Sequence, residues 1–180
     1  MEMTNKLDIW LDACAYIHAA AEAPKPPAQK NLAEDIAALS LIRDMFRDGR
    51  IEMGIPLNAY IEASQRDSFQ KAEAFWAPVK LPIYPSEIGF AGFRITSSNK
   101  QYERNVSVWN QKIRPTGNQI KDVHLKDSAH VINSAYFKGI FVTTDYKLLN
   151  KARNEGRKSK MLKNVMRPSE FVNLFNQLDI

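Results

Sequence analysis

The stretch "GIFVTTDYKLLNKA", Gly139 to Ala152, decides how the chain is read. Ile140 to Thr143 make a short apolar run of the kind that sits buried in a sheet. Thr144 and Asp145 follow, and at Tyr146 the pattern turns helical. A core strand thus delivers a carboxylate at its own carboxyl end. One reading makes Asp145 the N-cap of the next helix. The other points it into a crevice outside the carboxyl ends of a parallel sheet, where ligands of such sheets bind.

A second strand tip carries the same feature. "LDIWLDA", residues 7–13, reads as a central strand that is apolar on one parity and ends in Asp12. Asp8 shares that parity but lies ~13 Å earlier at ~3.3 Å per residue, at the wrong end. Capping explains either aspartate alone; a matched pair at two strand tips asks for more. Glu62 lies near the beginning of the helix that follows the strand "RIEMGIP". Asp127 lies eighteen residues before Asp145, in a helix whose antiparallel return would put its early turns over the same rim. Singly, Glu62 and Asp127 read as surface charges. Jointly, four carboxylates in one crevice repel and shift each other's pKa values unless cations neutralise them. The cation such oxygen donors select is hard, hence Mg²⁺ or Mn²⁺.

Around these points the chain alternates strand and helix. "CAYIHAAAEA" continues the first strand as a short helix, halted by the stiff "PKPP" at residues 24–27. "NLAEDIAALSLIRDMFRDG" carries Leu32, Ile36, Leu39, Ile42 and Phe46 at helical spacing, with Asn31 and Glu34 spaced as a loose capping box and Gly49 where a C-terminal cap belongs. "LNAYIEASQRDSFQKAEAFWAPV" reads as one helix. "LPIYPSEIGFAGFRITSS" reads as a loop or short hairpin, "NKQYERNVSVWNQKI" and "IKDVHLKDSAHVINSAYFKG" as helices. "KNVMRP" is a short strand, and Pro168 opens a closing helix. This alternation predicts an α/β domain with a central parallel sheet and helices on both faces, spanning 1–180.

Composition sets the setting. The chain has 180 residues, 44% hydrophobic and 25% charged, with no apolar run near the ~20 residues a membrane span requires. Its amino-terminal segment lacks a secretory signal pattern, and its single cysteine, Cys14, forbids an internal disulfide. A cytoplasmic domain is the expectation. The net charge is +5, with much of the excess between Lys151 and Arg167. A charge run is ordinarily a solvated face; clustered Lys and Arg also neutralise phosphates. An acidic metal site on a basic surface suits phosphodiester hydrolysis.

The order strand–Asp12, helix–Glu62, Asp127 and "VTTD" at Asp145 resembles the PIN domain, the nuclease fold of many toxin–antitoxin ribonucleases. "KDSAHVINSAYFKGIFVTTDYKLLNKA" is the most specific part: an aspartate-opened helix with a histidine three residues on, a strand, T-x-D and a leucine-rich helix. "LDACAYI", "IPLNAYIEAS" and "RPSEFVNLF" are similar to the family's first strand, glutamate-bearing helix and closing helix. Residues 65–119 match poorly and read as an elaboration. The resemblance implies a three-layer α/β/α fold and a Mg²⁺- or Mn²⁺-dependent endoribonuclease. Asp12, Glu62, Asp127 and Asp145 would be metal ligands or water-activating groups, with Thr143 and His130 in support. Thr143 stands where many members carry another acid or a hydroxyl, so its weaker ligation leaves one ion or two open. An RNA substrate, a protein antitoxin covering the crevice and a homodimer are the partners implied.

Other residues carry weaker signals. His130 shares a helix face with Asp127, and a packed core histidine is its ordinary role. Cys14 and His18 are spaced i, i+4, yet two ligands do not make a zinc site. Asp122 competes with Asp127 but sits where its helix begins. Glu73 and Glu87 read as surface charges. Lys151, Arg153, Arg157, Lys158 and Lys160 are candidates for steering RNA, and Phe75, Trp76, Tyr84, Phe90 and Phe93 for stacking on bases, although aromatics so dense are more often core. A PIN-like binding module without catalysis is the rival reading; retention of all four acids argues against it. A phosphatase of the haloacid dehalogenase type would want Asp-x-Asp after the first strand, and "LDACAYI" lacks the second aspartate.

Overall fold

The computed structural model describes residues 6–22, 30–84, 139–156 and 164–178. Asp122, Asp127, His130, Glu87, Phe90, Phe93, Arg157, Lys158 and Lys160 lie outside the described residues, as do the predicted helices over 99–113 and 120–138.

In chain order the elements are β1 (Asp8–Leu11), α1 (Ala13–His18), α2 (Lys30–Arg47), β2 (Glu52–Pro56), α3 (Leu57–Ser64), α4 (Phe69–Trp76), a 3₁₀ turn (Ala77–Val79), β3 (Ile83–Tyr84), β4 (Ile140–Val142), α5 (Tyr146–Gly156), β5 (Val165–Met166) and α6 (Pro168–Gln177). Among the described residues, five strands form one parallel sheet in the order β3-β2-β1-β4-β5. The strand order therefore reverses at β1: the chain lays β2 and β3 on one side and β4 and β5 on the other. In an open parallel sheet that reversal opens a crevice at the carboxyl ends.

Period-two alternation sets the faces of the sheet. Ile9, Leu11, Met53, Ile55, Ile140 and Val142 point into the main core, with Ala15 and Tyr16 of α1, Leu39 and Ile42 of α2, Ala59 and Ala63 of α3, Ala72 and Trp76 of α4, and Phe171 and Phe175 of α6. Phe141 and Val165, paired across β4 and β5, are buried apart from that core, as are Leu148, Leu149 and Ala152 of α5. Trp10 and Gly54 share the parity of Phe141, and there the Trp10 and Tyr84 rings lie 5.6 Å apart. Glycine is required beneath them. A Cβ on Gly54 would stand 2.2 Å from the Tyr84 ring, and one on Gly139 would stand 2.5 Å from Trp10 Nε1.

Several sequence expectations are corrected. The segment from Leu57 to Val79 is two helices and a 3₁₀ turn, not one helix. At 3.6 residues per turn, Ala63 and Ala72 would face opposite ways on a straight helix. Both are fully buried, so the chain must break between them, and it does at Gln65–Ser68. Ile83–Tyr84 is an edge strand parallel to β2, not part of a hairpin loop. The first helix ends at His18, well short of the prolines. Asn31 lies inside α2 and its carbonyl accepts from Arg167, so it is no N-cap. Gly49 does stand past the end of α2 with φ +71°, where a side chain would be strained.

The buried face of α2 is also rotated from expectation. Leu39 and Ile42 are buried as expected, but Asp35, Ala38 and Met45 join them, while Leu32, Ile36 and Phe46 are half-buried. Asp35, with no exposed surface, is held by four donors: Tyr146 Oη at 2.7 Å, Arg167 Nε at 3.1 Å, and Ser169 through N at 3.2 Å and Oγ at 2.7 Å. One carboxylate thereby ties α2 to the starts of α5 and α6. Burial works against the charge of Arg167, but the bond to Asp35 overrides it and holds its pKa above the ordinary value. Glu170 completes the joint by accepting from the Arg167 N–H at 2.9 Å and pairing with Arg153.

Candidate active site

Asp12 and Asp145 meet at the reversal of strand order. β1 and β4 are neighbours, and the Asp12 N–H extends their ladder to Val142 O at 3.0 Å. Adjacent parallel strands in register bring their following residues side by side, which puts Asp12 against Thr143. The Thr143 hydroxyl donates to Asp12 Oδ2 at 2.7 Å and accepts from the Asp145 N–H at 3.0 Å. Thr143 is fully buried and Asp12 only 4% exposed. One hydroxyl thus connects the two strand tips.

The capping reading of Asp145 holds. Its Oδ1 accepts from the N–H groups of Lys147 at 2.9 Å and Leu148 at 3.0 Å, which makes it the cap of α5. Asp12 caps α1 and its Oδ1 accepts from the Ala13 N–H at 2.8 Å. Each carboxylate therefore faces a helix amino terminus, whose partial positive charge stabilises the anion. Capping fixes the two carboxylates at neighbouring strand tips.

Cys14 stands two residues after Asp12. Burial first, and then the charges of Asp12, Asp145 and Glu62, push its thiol far above the ordinary range, with Arg66 acting the other way. The thiol, half-buried in the first turn of α1, thus feels three of the four expected acids. A thiol so placed stays protonated at neutral pH. Glu62, in the second turn of α3, is paired with Arg66 at 3.1 Å. His18 Nδ1 lies 2.7 Å from Thr144 Oγ1, and its pKa is lowered by burial and then by Arg66, against an opposing pull from Asp35. His18 is thus tied through its ring to the residue just past the end of β4.

The side-chain donors at the two strand tips are carboxylate and hydroxyl oxygen, the types a hard divalent cation prefers. Among the described residues, however, no three His, Cys, Asp or Glu side chains stand close enough together to hold an ion. Of the residues proposed to steer RNA, Arg153 is paired with Glu170. Of those proposed to stack on bases, Trp76 is core, with Nε1 donating to Tyr16 O at 3.1 Å, Phe75 lies under Arg43, and Tyr84 is partly exposed on the edge strand.

Two residues of this region escaped the sequence reading. Asp35 has a signal: it stands four and seven residues before the core positions Leu39 and Ile42, in phase with the apolar stripe. Arg66 has one too, since it follows Glu62 by four residues, the spacing of a helical ion pair. No protein-family model matches the chain, and no curated protein matches it. Among the described residues, no helix is long and apolar enough to cross a membrane.

Proposed function

We propose that this chain is a metal-dependent endoribonuclease of PIN-like, three-layer α/β/α architecture. The observation that carries the reading is the pair Asp12–Asp145, bridged by the Thr143 hydroxyl at the reversal of strand order. Ligands of open parallel sheets bind at such a point, and the third acid, Glu62, shares the electrostatic neighbourhood. Asp12, Asp145 and Glu62 would hold Mg²⁺ or Mn²⁺, with Asp127 as the fourth acid that the family resemblance implies. The bound ion would supply the positive charge that phosphodiester hydrolysis requires at the attacking and leaving oxygens. The protein's own part is orientation. Thr143 and the Ala13 N–H fix the Asp12 carboxylate, and the α5 amino terminus fixes that of Asp145. Lys151, Arg153, Arg157, Lys158 and Lys160 are proposed to steer the RNA backbone, and a protein antitoxin and a homodimer remain the proposed partners.

The second reading is a PIN-like module that binds RNA or protein without cleaving. Incubating an RNA pool with the protein plus Mn²⁺, the protein plus EDTA, and the Asp145→Asn variant separates the two. Asparagine also caps helices well, so this variant removes the charge and keeps the fold. Metal-dependent cleavage that disappears in Asp145→Asn supports the nuclease; RNA binding with no cleavage in any arm supports the module.

A further inference from the structure

A cavity of about 290 Å³ is lined from α1, α3, α4, β2 and β3, and none of its lining residues is a strand-tip acid. The rings of Tyr16 and Trp76, both buried, stack at 6.0 Å, and Tyr60 stands edge-on to Tyr16 at 6.0 Å. Leu81 and Ile83 add aliphatic surface, and Ile83 is 44% exposed. Two charged side chains complete the lining, Glu73 and Lys80. Tyr60 Oη donates to Glu73 Oε1 at 2.5 Å; that bond holds the carboxylate and pushes the phenol up to about 12, so it remains a donor. Lys80 closes the 3₁₀ turn at φ 50°, and among the described residues no other non-glycine has a positive φ. Glu73 and Lys80 are seven residues apart, which puts them on one face of α4 and its 3₁₀ extension, about 10 Å from each other at ~1.5 Å per residue. Among the described residues no ion pair joins the two.

We propose that this cavity is a nucleotide-binding subsite selective for guanine, with the base against the Tyr60 ring, its donor edge on Glu73 and its phosphate on Lys80. An ionised carboxylate only accepts hydrogen bonds, so it selects a base edge that carries N–H groups. The Watson–Crick edge of guanine offers two adjacent donors, which match the two carboxylate oxygens. Adenine and cytosine set an amino group beside a ring acceptor, and uracil sets one donor between two acceptors. A planar base also suits aromatic and apolar walls, on which it stacks. The spacing of the charges decides the size of the ligand. In a free α-amino acid the ammonium and carboxylate share one carbon, whereas in a nucleotide the ribose separates base edge from phosphate on the scale of the ~10 Å helix spacing. The volume lies at the lower end of small-molecule sites, which fits one nucleotide. The subsite requires neither a metal ion nor cleavage, so it does not rest on the nuclease reading.

Calorimetric titration of the full chain in EDTA with GMP, AMP and UMP tests the subsite. GMP is expected to bind about tenfold tighter than AMP or UMP, the scale of hydrogen bonds to a charged group. Glu73→Gln is expected to erase that preference by weakening GMP alone. Lys80→Ala is expected to weaken GMP and to leave guanosine, which has no phosphate, unchanged. Both side chains are exposed, so these variants should keep the fold, and melting temperatures on the same samples check it. A short single-stranded RNA containing guanine that displaces GMP assigns the subsite to the RNA strand; failure to displace it assigns the subsite to the free nucleotide. Equal binding of the three nucleotides, GMP affinity that survives Glu73→Gln, or no binding of GMP at millimolar concentration overturns the proposal. None of these results bears on cleavage at Asp12 and Asp145, so the subsite and the nuclease reading fail separately.

Discussion

At the scale of single residues, the Thr143 hydroxyl is the joint of the site. It is buried, donates to one acid and accepts from the backbone of the other. Thr143→Val keeps the shape and leaves Asp12 without that donor and the Asp145 N–H without its acceptor. A buried polar group left unpaired costs about 1–3 kcal/mol, so chemical denaturation should show a loss of that order. Thr143→Ser restores the hydroxyl and should recover most of it. His18 makes a prediction in pH. Its folded-state pKa lies below the ordinary value of 6.5, so the unfolded chain binds the proton first. Stability is therefore fully present above 6.5 and falls as the pH drops toward the folded-state pKa. Denaturation midpoints of His18→Gln measured from pH 7.5 downward should show a shallower acid-side decline than those of the wild type. Asp12 and Asp145 were legible in the sequence because a polar residue ending an apolar run is conspicuous. Asp35 was not, because in an amphipathic helix an isolated aspartate is ordinarily solvated; its phase with Leu39 and Ile42 was the overlooked sign.

At the scale of elements, the sheet and the α2 joint carry different risks. Gly54 and Gly139 leave room for aromatic rings against the sheet, so added methyl groups there overpack a tight contact. Gly54→Ala should destabilise by about 1–3 kcal/mol, and by much less once Tyr84→Ala has removed the ring it meets. A thermal-melt cycle of the two substitutions reads this coupling. The joint at Asp35 is electrostatic. Asp35→Ala strips Arg167 of its buried partner and should cost about 3–5 kcal/mol, with α5 and α6 loosened together; hydrogen exchange of their amides would follow it. Strand and helix types were legible wherever an apolar run or a 3.6-residue period continued long enough. The break in the Leu57–Val79 segment was legible only in the phase of its small residues, because Gln65–Ser68 contains neither glycine nor proline. The two-residue β3 is too short to show a period at all.

At the scale of the molecule, the reversal of strand order at β1 brings two separate sequence features to neighbouring strand tips. That step was partly legible: alternating strands and helices predicted a parallel sheet, but no residue in the sequence states which strands are neighbours. Adjacency of β1 and β4 is set by long-range packing, and it is what brings Asp12 to Thr143. We propose that the strand tips so joined bind a divalent ion and hydrolyse RNA. The most direct test measures Mn²⁺-dependent cleavage of a mixed RNA pool by the wild type, Asp12→Asn and Asp145→Asn, with melting temperatures recorded on the same samples. Cleavage that requires Mn²⁺ and is lost in both variants, at melting temperatures near that of the wild type, is the predicted result. Cleavage that survives both substitutions, or its absence from folded wild type supplied with Mn²⁺, would contradict the account.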